Sequence, residues 1–348
     1  MGPLKGVKII EMVGIGPGPF AGMLLADMGA EVIAVERPGG ASMMPKDATR
    51  RGKTFLEVNV KTEEGRAQVL DLVEGADALI EGNRPGVMER LGLGPDACLA
   101  RNPRLVFGRM TGWGQEGPLA PTAGHDLNYA AITGAIHAIG PADTPPPPPL
   151  NLVADYGGGA MFLAFGVVCA LLEARQSGHG QVVDAAMVDG ASLMMAMFHS
   201  MKASGAWAPA RNANLLDGGA HFYGCFRTKD DQFVSLGAIE GPFMQVFIEK
   251  AGLDESWMAK HMDQSAWPAL REEMAALFAE RTSAEWRALL EGTDACFAPV
   301  LPFWEAHRHP HAQARDAFIE LDGFIQPAPA PRFSRTKPEV AGAKAVKD

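Results

Sequence analysis

The first 110 residues of the chain alternate between short apolar runs and longer stretches with helical spacing. Five runs have the length and composition of buried strands, and two stretches place apolar residues on one face of a helix. In chain order the strands are GVKIIEM, EVIAVER, TFLEVNV, ADALIEG and PRLVFGRM, and the helices are PFAGMLLADMGA and TEEGRAQVLDLVEG. Strands that alternate with helices predict a parallel sheet flanked by helices, which is an α/β fold.

The pattern changes in the second half of the chain. The segment FYGCFRTKDDQFVSLGAIE alternates like a β-hairpin with its turn at residues 229–232, and two amphipathic helices follow it. We therefore predict a large domain at 1–190, a linker helix and crossover at 191–220, and a smaller α+β domain at 221–309. Residues 310–348 are expected to return to the large domain, and the last twenty residues to be extended or disordered.

Charge and cysteine content narrow the classes of function. The 348-residue chain has a formal net charge of −10 and a pI of about 5.4, which makes it a poor partner for nucleic acid or an anionic membrane. Its four cysteines are far apart and form no CxxC pair, a pattern that favours buried thiols in a reducing compartment. Because the first residues also lack the apolar region of a signal peptide, we expect a cytoplasmic protein.

One apolar run, GGGAMFLAFGVVCALL at 157–172, has the composition of a membrane span. It is shorter than the roughly 18 residues that a span needs, and charged residues bracket it. The pattern favours a core helix of the large domain, so no membrane partner is expected.

The segment GIGPGP at 14–19 follows a predicted strand and opens a predicted helix, which is the setting of a dinucleotide-binding motif. The third glycine of that motif is replaced by Pro19, and Pro17 and Pro19 have no N–H to donate to a pyrophosphate. We therefore interpret the segment as a tight turn that lets helix and strand pack closely.

Four basic residues recur at or just beyond the ends of predicted elements of the large domain. They are Arg37, Lys61, Arg84 and Arg90. Ligands of open α/β sheets bind outside the carboxyl ends of the strands. The set therefore predicts a site for an anionic, polyphosphate-bearing ligand, although any one of these residues alone is typical of a solvated surface.

Metal binding is not predicted. The tract HRHPH at 307–311 is interrupted by Pro310 and has no adjacent acidic or thiol ligand.

Longer motifs extend over nearly the whole chain: GIGPGPFAGMLLADMGAEVIAVERP, NVKTEEGR, LIEGNRPGVMERLGLGP, RMTGWGQEGP, GHDLNY, DYGGGAMFL, GQVVDAAMVDG and APAPRFSRT. In these motifs the chain resembles the family III CoA-transferase fold family, and within it the α-methylacyl-CoA racemases. The resemblance implies a Rossmann-like large domain, a small domain, and two chains threaded through each other as an interlocked homodimer. It also implies an acyl-CoA substrate.

By match of motif, the resemblance assigns residues that would contact CoA. Those facing the nucleotide would be Arg37, Val58, Asn59, Val60, Lys61, Gly82, Asn83, Arg84 and Arg90. Those lining the pantetheine end would be Gly124, Leu127, Asn128 and Tyr129.

Racemisation next to a thioester carbonyl requires a base on one face of the α-carbon and a protonated group on the other. The resemblance implies that neutral His125 is one of these groups and Asp155 the other, and Asp155 then needs a raised pKa, which apolar surroundings would supply. Glu240 matches the family's carboxylate that orients the histidine ring, and Asp126 is a supporting residue. The reaction requires no redox or metal cofactor, and CoA is part of the substrate.

The enolate that forms places negative charge on the thioester oxygen. Asp155 to Gly159 are expected to open the long apolar helix, so the N–H groups of Tyr156 and Gly157 are predicted to stabilise that oxygen.

Two other functions are left open by the sequence. In a CoA-transferase Asp155 would be the nucleophile and His125 a spectator, although such enzymes usually have an aromatic residue at that position. A protein that only binds acyl-CoA would need neither group. The chain also departs from the family at Asp230 and Asp231, where an Asp-Gly turn is usual.

Overall fold

The structure is a computed structural model that describes residues 2–40, 42 and 44–345. Two compact units are distinguished by their internal packing. Unit 1 consists of residues 1–135, 148–196 and 310–348, and unit 2 of residues 136–147 and 197–309.

A parallel sheet is the core of unit 1. Its strands are β1 (Lys8–Met12), β2 (Glu31–Glu36), β3 (Lys53–Glu57), β4 (Ala78–Glu81), β5 (Val106–Thr111), β6 (Val182–Ala186) and, near the end of the chain, β12 (Lys344–Ala345). Their order is β12-β3-β2-β1-β4-β5-β6, and every neighbouring pair is parallel. The order 3-2-1-4-5-6 is that of Rossmann-type sheets. The predicted α/β fold with a large parallel sheet is therefore confirmed.

The strands of this sheet are largely buried, as in other parallel sheets that helices cover on both faces. The helices of unit 1 are α1 (Pro17–Asp27), α2 (Glu63–Glu74), α3 (Val87–Arg90), α4 (Pro95–Arg101), α5 (Asp126–Ile132), α6 (Met161–Ser177), α7 (Met187–Met194) and α13 (Pro310–Ala314). An antiparallel hairpin of β10 (Phe318–Leu321) and β11 (Phe324–Pro327) also belongs to unit 1.

The side chain of Arg51 holds this hairpin. It binds Asp27 at the end of α1, and donates to Gln326 Oε1 and to the carbonyl oxygen of Pro327. The last described residues then pair with Thr54 and Phe55 of β3. The end of the chain is therefore extended against the sheet up to residue 345, and residues 346–348 lie outside the described residues.

The long apolar helix differs from its prediction. It begins at Leu152 as a π-helix, Leu152–Ala160, and continues as α6 to Ser177, so the helical stretch is 26 residues long. Asp155 is therefore the fourth residue of the helix and not its first. The expectation that this helix is too short to span a membrane is therefore wrong, because 26 residues exceed the length that a span needs. However, the side of α6 that carries Leu163 and Val167 is buried and lies against β5.

Glycines allow the π-helix to approach α7 at backbone distance. A methyl group on Gly190 would lie 1.9 Å from the carbonyl oxygen of Gly158, and one on Gly158 would lie 2.5 Å from the backbone nitrogen of Ala191. Only hydrogen fits at both positions, so these residues fix the distance between the two helices.

Unit 2 has its own sheet and an aromatic core. Its strands β7 (Tyr223–Arg227), β8 (Phe233–Gly237) and β9 (Phe297–Pro299) are antiparallel. Its helices are α8 (Ala196–Ala203, from residue 197 onward), α9 (Gly241–Ala251), α10 (Ser256–Ala259), α11 (Trp267–Phe278) and α12 (Ser283–Leu290). The hairpin predicted between residues 223 and 237 is present. Its turn places Asp231 at φ 58°, the left-handed region that the glycine of an Asp-Gly turn adopts without strain.

Two segments lie in unit 2 that the prediction assigned elsewhere, residues 136–147 and 197–220. Arg211 gives one reason, because its guanidinium donates to the carbonyl oxygens of Pro141, Ala142 and Thr144. The assignment of functions to the predicted domains 1–190, 191–220 and 221–309 stays a prediction.

A test of the close helix contact is Gly190→Ala. The added methyl group would overlap the Gly158 carbonyl, so we expect a loss of about 1–3 kcal/mol in the free energy of unfolding or more, measured by urea denaturation. Gly75→Ala is the matched control, because nothing lies within 4 Å of the added methyl group there. Equal stability of the two variants would contradict the proposed role of this contact.

Candidate active site

A cleft of about 740 Å³ opens at the carboxyl edge of the parallel sheet. The segments that follow β1, β2, β3 and β4 line it, and the strand order reverses between β1 and β4. This is where ligands of open α/β sheets bind. Several residues predicted from the sequence line the cleft, namely Arg37, Val58, Asn59, Val60, Lys61, Asn83 and Tyr156.

Local structure explains why the segment after β3 faces the cleft. The predicted strand TFLEVNV ends early, at Glu57, and Val58 to Lys61 form a turn before α2. The side chain of Thr62 caps α2 by accepting from the Gly65 N–H at 3.1 Å. Asn59 and Lys61 are exposed as a result, so a basic and an amide side chain are available to a ligand.

The remaining predicted CoA residues lie elsewhere in unit 1, outside the lining of this cleft. Gly82 and Arg84 follow β4, Arg90 ends α3, and Gly124, Leu127, Asn128 and Tyr129 lie on or just before α5.

The cleft also contains charged residues that the sequence prediction missed. Arg50 binds Glu36 at 3.1 Å and lies 3.5 Å over the ring of Phe55. Lys53 and Glu11 form a buried ion pair at 2.6 Å below the cleft. In the sequence Arg50 and Lys53 fall in a Gly-containing polar stretch that is typical of an exposed turn, so no local signal indicated them.

His125 lies at the start of α5. Its backbone has extended geometry, and its N–H donates to the side-chain oxygen of Asn128 at 3.1 Å while its carbonyl accepts from the Asn128 N–H at 2.8 Å. These two bonds fix the first turn of the helix, and the imidazole is left exposed.

The adjacent residue, Asp126, is buried and connects α5 to the π-helix. Its Oδ2 accepts from the backbone N–H groups of Ala154 and Asp155, both at 2.8 Å. These are N–H groups of the first helical turn, which have no partner within a helix. The Asp126 carboxylate therefore connects the start of α5, directly after His125, to the backbone of Asp155.

Asp155 is half-buried, and its pKa is raised above the ordinary value for an aspartate. The main cause is burial, which disfavours the charged form, and the negative charge of Asp126 adds to it. A hydrogen bond from Asn151 and the proximity of His125 act in the opposite direction.

The turn Gly14–Pro19 borders Asp155. Gly16 has φ 67°, and a methyl group placed on it would lie 3.5 Å from Asp155 Oδ2. On the same side, Phe20 stacks on Tyr156 with ring centroids 4.2 Å apart. The segment that resembles a dinucleotide motif thus consists of a tight turn and the first residues of α1, and Gly16 packs against Asp155.

Tyr129 links the other predicted residues. Its hydroxyl donates to the carbonyl oxygen of Gly124, and its ring fills the space in which Gly124 would carry a side chain. Burial raises the pKa of Tyr129, with Asp155 adding to the rise and Arg84 opposing it. Asp155 and Arg84 therefore each lie within electrostatic range of Tyr129.

The predicted oxyanion donors need correction. Tyr156 and Gly157 lie inside the π-helix, where an N–H is bonded to the carbonyl five residues earlier, and the Met161 N–H bonds the Tyr156 carbonyl in this way. Because the helix begins three residues before Asp155, its free first-turn N–H groups are not those of Tyr156 and Gly157. Helix α5 begins directly after His125, and the N–H groups of its first turn are the ones nearer to that residue.

Glu240 lies in unit 2. It is the exposed residue immediately before α9, at the end of the segment that follows β8. Within the described ranges, no group of three or more histidine, cysteine or acidic residues could hold a metal ion.

The model of CoA-transferase family III matches residues 4–344. The chain belongs to CoA-transferase family III.

Two relatives in this family are named α-methylacyl-CoA racemase. The mouse protein is 42% identical over 343 residues, covering 98% of the chain and 89% of the relative. The human protein is 40% identical over 334 residues, covering 96% and 87%. A solved structure of a CaiB/BaiF family protein from Brucella suis is 26% identical with a TM-score of 0.83, covering 99% of the chain and 96% of the solved one. The family III resemblance predicted from the motifs is thus confirmed.

The pKa of Asp155 is open to a direct test. Asp126→Asn keeps an oxygen for the Ala154 and Asp155 N–H groups but removes a negative charge, so we expect the pKa of Asp155 to fall. Asn151→Ala removes a bond that favours the carboxylate, so it should raise this pKa further. Carbon-13 NMR titration of labelled aspartate, with the signal assigned by Asp155→Asn, measures both. Shifts in the same direction would contradict this account.

Proposed function

We propose that this family III member is an isomerase that inverts the α-carbon of 2-methylacyl-CoA thioesters by 1,1-proton transfer. The observation that carries the proposal is the environment of Asp155, whose backbone N–H is bonded to Asp126, the residue next to His125, and whose pKa is raised by burial and by the charge of Asp126. The names of the mouse and human relatives, at 42% and 40% identity over nearly the whole chain, support the same activity.

The CoA part of the substrate would occupy the cleft at the carboxyl edge of the sheet. Its phosphates carry negative charge, and the exposed Arg37 and Lys61 at the rim have the complementary charge. Val58 and Val60 would contact the adenosine, and Asn59, Gly82 and Asn83 would supply polar contacts. Arg84 and Arg90 would add cations beyond β4. The pantetheine arm would then pass Gly124, Leu127, Asn128 and Tyr129 on its way to Asp155.

In one direction of the reaction, neutral His125 removes the α-proton and protonated Asp155 returns a proton to the opposite face. In the other direction the roles are exchanged. The raised pKa of Asp155 supports this role, because the group must hold a proton while His125 is neutral. Proton transfer of this kind needs no redox or metal cofactor.

The intermediate is an enolate with negative charge on the former thioester oxygen. Since Tyr156 and Gly157 do not begin a helix, we assign the stabilisation of this oxygen to the N–H groups of Asp126 and Leu127, which precede the bonded Asn128 N–H in the first turn of α5. Glu240 would fix the imidazole through its other ring nitrogen, as the family resemblance implies.

The second candidate is a CoA-transferase with Asp155 as nucleophile. A nucleophilic carboxylate has to be ionised, and burial together with the charge of Asp126 acts against ionisation of Asp155. The general name of the family favours this reading, whereas the pKa of Asp155 and the names of the two relatives favour the racemase.

A homodimer is part of the proposal. The exposed face of α6 is apolar, with Met161, Phe165, Val168 and Leu172 at helical spacing and 53%, 68%, 39% and 60% exposed. Soluble monomers rarely expose a continuous apolar surface of this kind. A second copy of the chain, threaded through the first, would cover it and could bring Glu240 of one copy to His125 of the other.

Deuterium incorporation tests the chemistry. In D₂O, the wild-type protein should place deuterium at the α-carbon of a 2-methylacyl-CoA without any acceptor acid, and should invert that carbon. His125→Gln and Asp155→Asn should each reduce the rate of inversion by about 10²- to 10⁴-fold while CoA affinity is kept. The exposed His179→Gln serves as control. A wild-type protein that transfers CoA to an acceptor acid but shows no exchange would refute the racemase and favour the transferase.

Sedimentation equilibrium tests the dimer. We expect twice the chain mass of 37.0 kDa, and no exchange of subunits between tagged and untagged protein unless urea unfolds them first. A monomer, or a protein that floats with phospholipid vesicles, would contradict the proposed cover of the α6 face.

A further inference from the structure

An ion pair lies buried between the sheet and the first turns of α1. Lys53 Nζ is 2.6 Å from Glu11 Oε2, and the two side chains are 1% and 2% exposed. Lys53 lies on β3 and Glu11 on β1, with β2 between them. In the sheet, Glu11 of β1 is paired with Ala34 of β2, and Ala34 is paired with Phe55 of β3. Lys53 lies two residues before Phe55 on the same strand, so its side chain points to the same face of the sheet as those of Glu11 and Ala34. The small side chain of Ala34 leaves room for the pair to meet across the middle strand.

The same ion pair holds α1. Lys53 Nζ donates to the carbonyl oxygen of Pro19 at 2.9 Å. A methyl group on Gly22 would lie 1.9 Å from Glu11 Oε2 and 3.0 Å from Lys53 Nζ, so the helix rests directly on the two charges. Pro17 and Pro19 are the first and third residues of α1, so the bond from Lys53 to the Pro19 carbonyl oxygen is made within the first turn of the helix.

Stability alone is a weak reason for this arrangement. Burial removes both charges from water, and apolar residues of similar volume are often as stable or more stable in such places. Burial also acts on both groups, raising the pKa of Glu11 and lowering that of Lys53. An apolar pair of the same volume could not donate a hydrogen bond to the Pro19 carbonyl oxygen, as Lys53 does.

The part of α1 held in this way is the part that borders Asp155. Gly16 approaches Asp155 Oδ2, and Phe20 stacks on Tyr156, the next residue of the π-helix. A shift of the first turn of α1 would open space around the Asp155 carboxyl and let water reach it. Displacements of about 1 Å at a reacting group can cost about 10²-fold in rate.

We propose that Glu11 and Lys53 are positioning residues, which hold Gly16 and the first turn of α1 against Asp155 and so set the orientation and hydration of its carboxyl group. This inference rests on the proposed racemase function. It assigns these two buried residues of the cleft a role in the reaction that is exerted through α1 and not through contact with the reacting atoms.

The test is the variant Lys53→Met. Its control is a variant that removes a second buried ion pair, at the other end of α1. That pair is Arg51 with Asp27, 2.5 Å apart and also buried. The control variant is Asp27→Asn with Arg51→Met. For each folded variant, deuterium exchange gives kcat and KM against pH, calorimetry gives the affinity for CoA, and urea denaturation gives the stability.

We expect Lys53→Met to reduce kcat by about 10- to 100-fold with little change in CoA affinity. In the direction in which Asp155 donates the proton, the alkaline limb of the kcat profile should move to lower pH, because added water stabilises the carboxylate. The Arg51–Asp27 control should lose stability but keep its kcat and pH profile. If Lys53→Met does not fold, Glu11→Leu with Lys53→Met, which leaves no buried charge unpaired, takes its place.

Two results overturn the inference. One is a folded variant with the kcat and pH profile of the wild type, and the other is a loss of CoA affinity that matches the loss of rate, since that indicates direct contact with the ligand. Failure of the proposed function is distinguishable from both, because the wild-type protein itself would then show no exchange.

Discussion

The candidate site depends on one carboxylate that serves two helices. Asp126 Oδ2 accepts from the N–H groups of Ala154 and Asp155, and Asp126 is itself the first residue of α5. This bond connects the element that carries Asp155 to the residue directly after His125. The bond also has an electrostatic consequence, because a buried negative charge next to Asp155 disfavours its ionisation. Asp126 therefore fixes the backbone of Asp155 and also adds to the rise in the pKa of Asp155 that burial mainly causes.

The site also depends on the π-helix Leu152–Ala160, which carries Asp155. It contains Gly157, Gly158 and Gly159, of which Gly158 allows contact with the backbone of α7. π-helical turns occur mostly as short insertions within α-helices, frequently at functional sites. Here the turn carries Asp155 and Tyr156, whose surroundings are completed by the Gly16 turn and Phe20.

The periodicity of the sequence was sufficient to predict the parallel sheet, since β1 to β5 are continuous apolar runs between turn signals. Strand ends were predicted less well, because the Val58 and Val60 side chains have the β propensity of the strand that stops at Glu57. The start of the long helix was also misplaced. Three consecutive glycines are typical of a helix boundary, and what keeps them inside a helix is the capping bond from Asp126, some thirty residues earlier in the chain.

The site residues differ in how far local sequence indicates them. The basic residues at strand ends were recognisable because parallel strands end at a common edge, and His125 and Asp155 because a known family carries them. Glu11 and Lys53 could not be recognised. A glutamate within an apolar strand and a lysine after a glycine have no visible relation until the sheet places β1 and β3 on either side of Ala34.

The position of β12 has a consequence for biosynthesis. This two-residue strand covers the edge of β3, and the hairpin before it is bound through Arg51. An uncovered strand edge is a template for pairing with other chains. Because β3 is synthesised long before β12, the edge of β3 has no β12 partner until residues 344 and 345 have been made. Nascent chains on one polysome would be most exposed to mispairing during that interval, and release of residue 345 ends it.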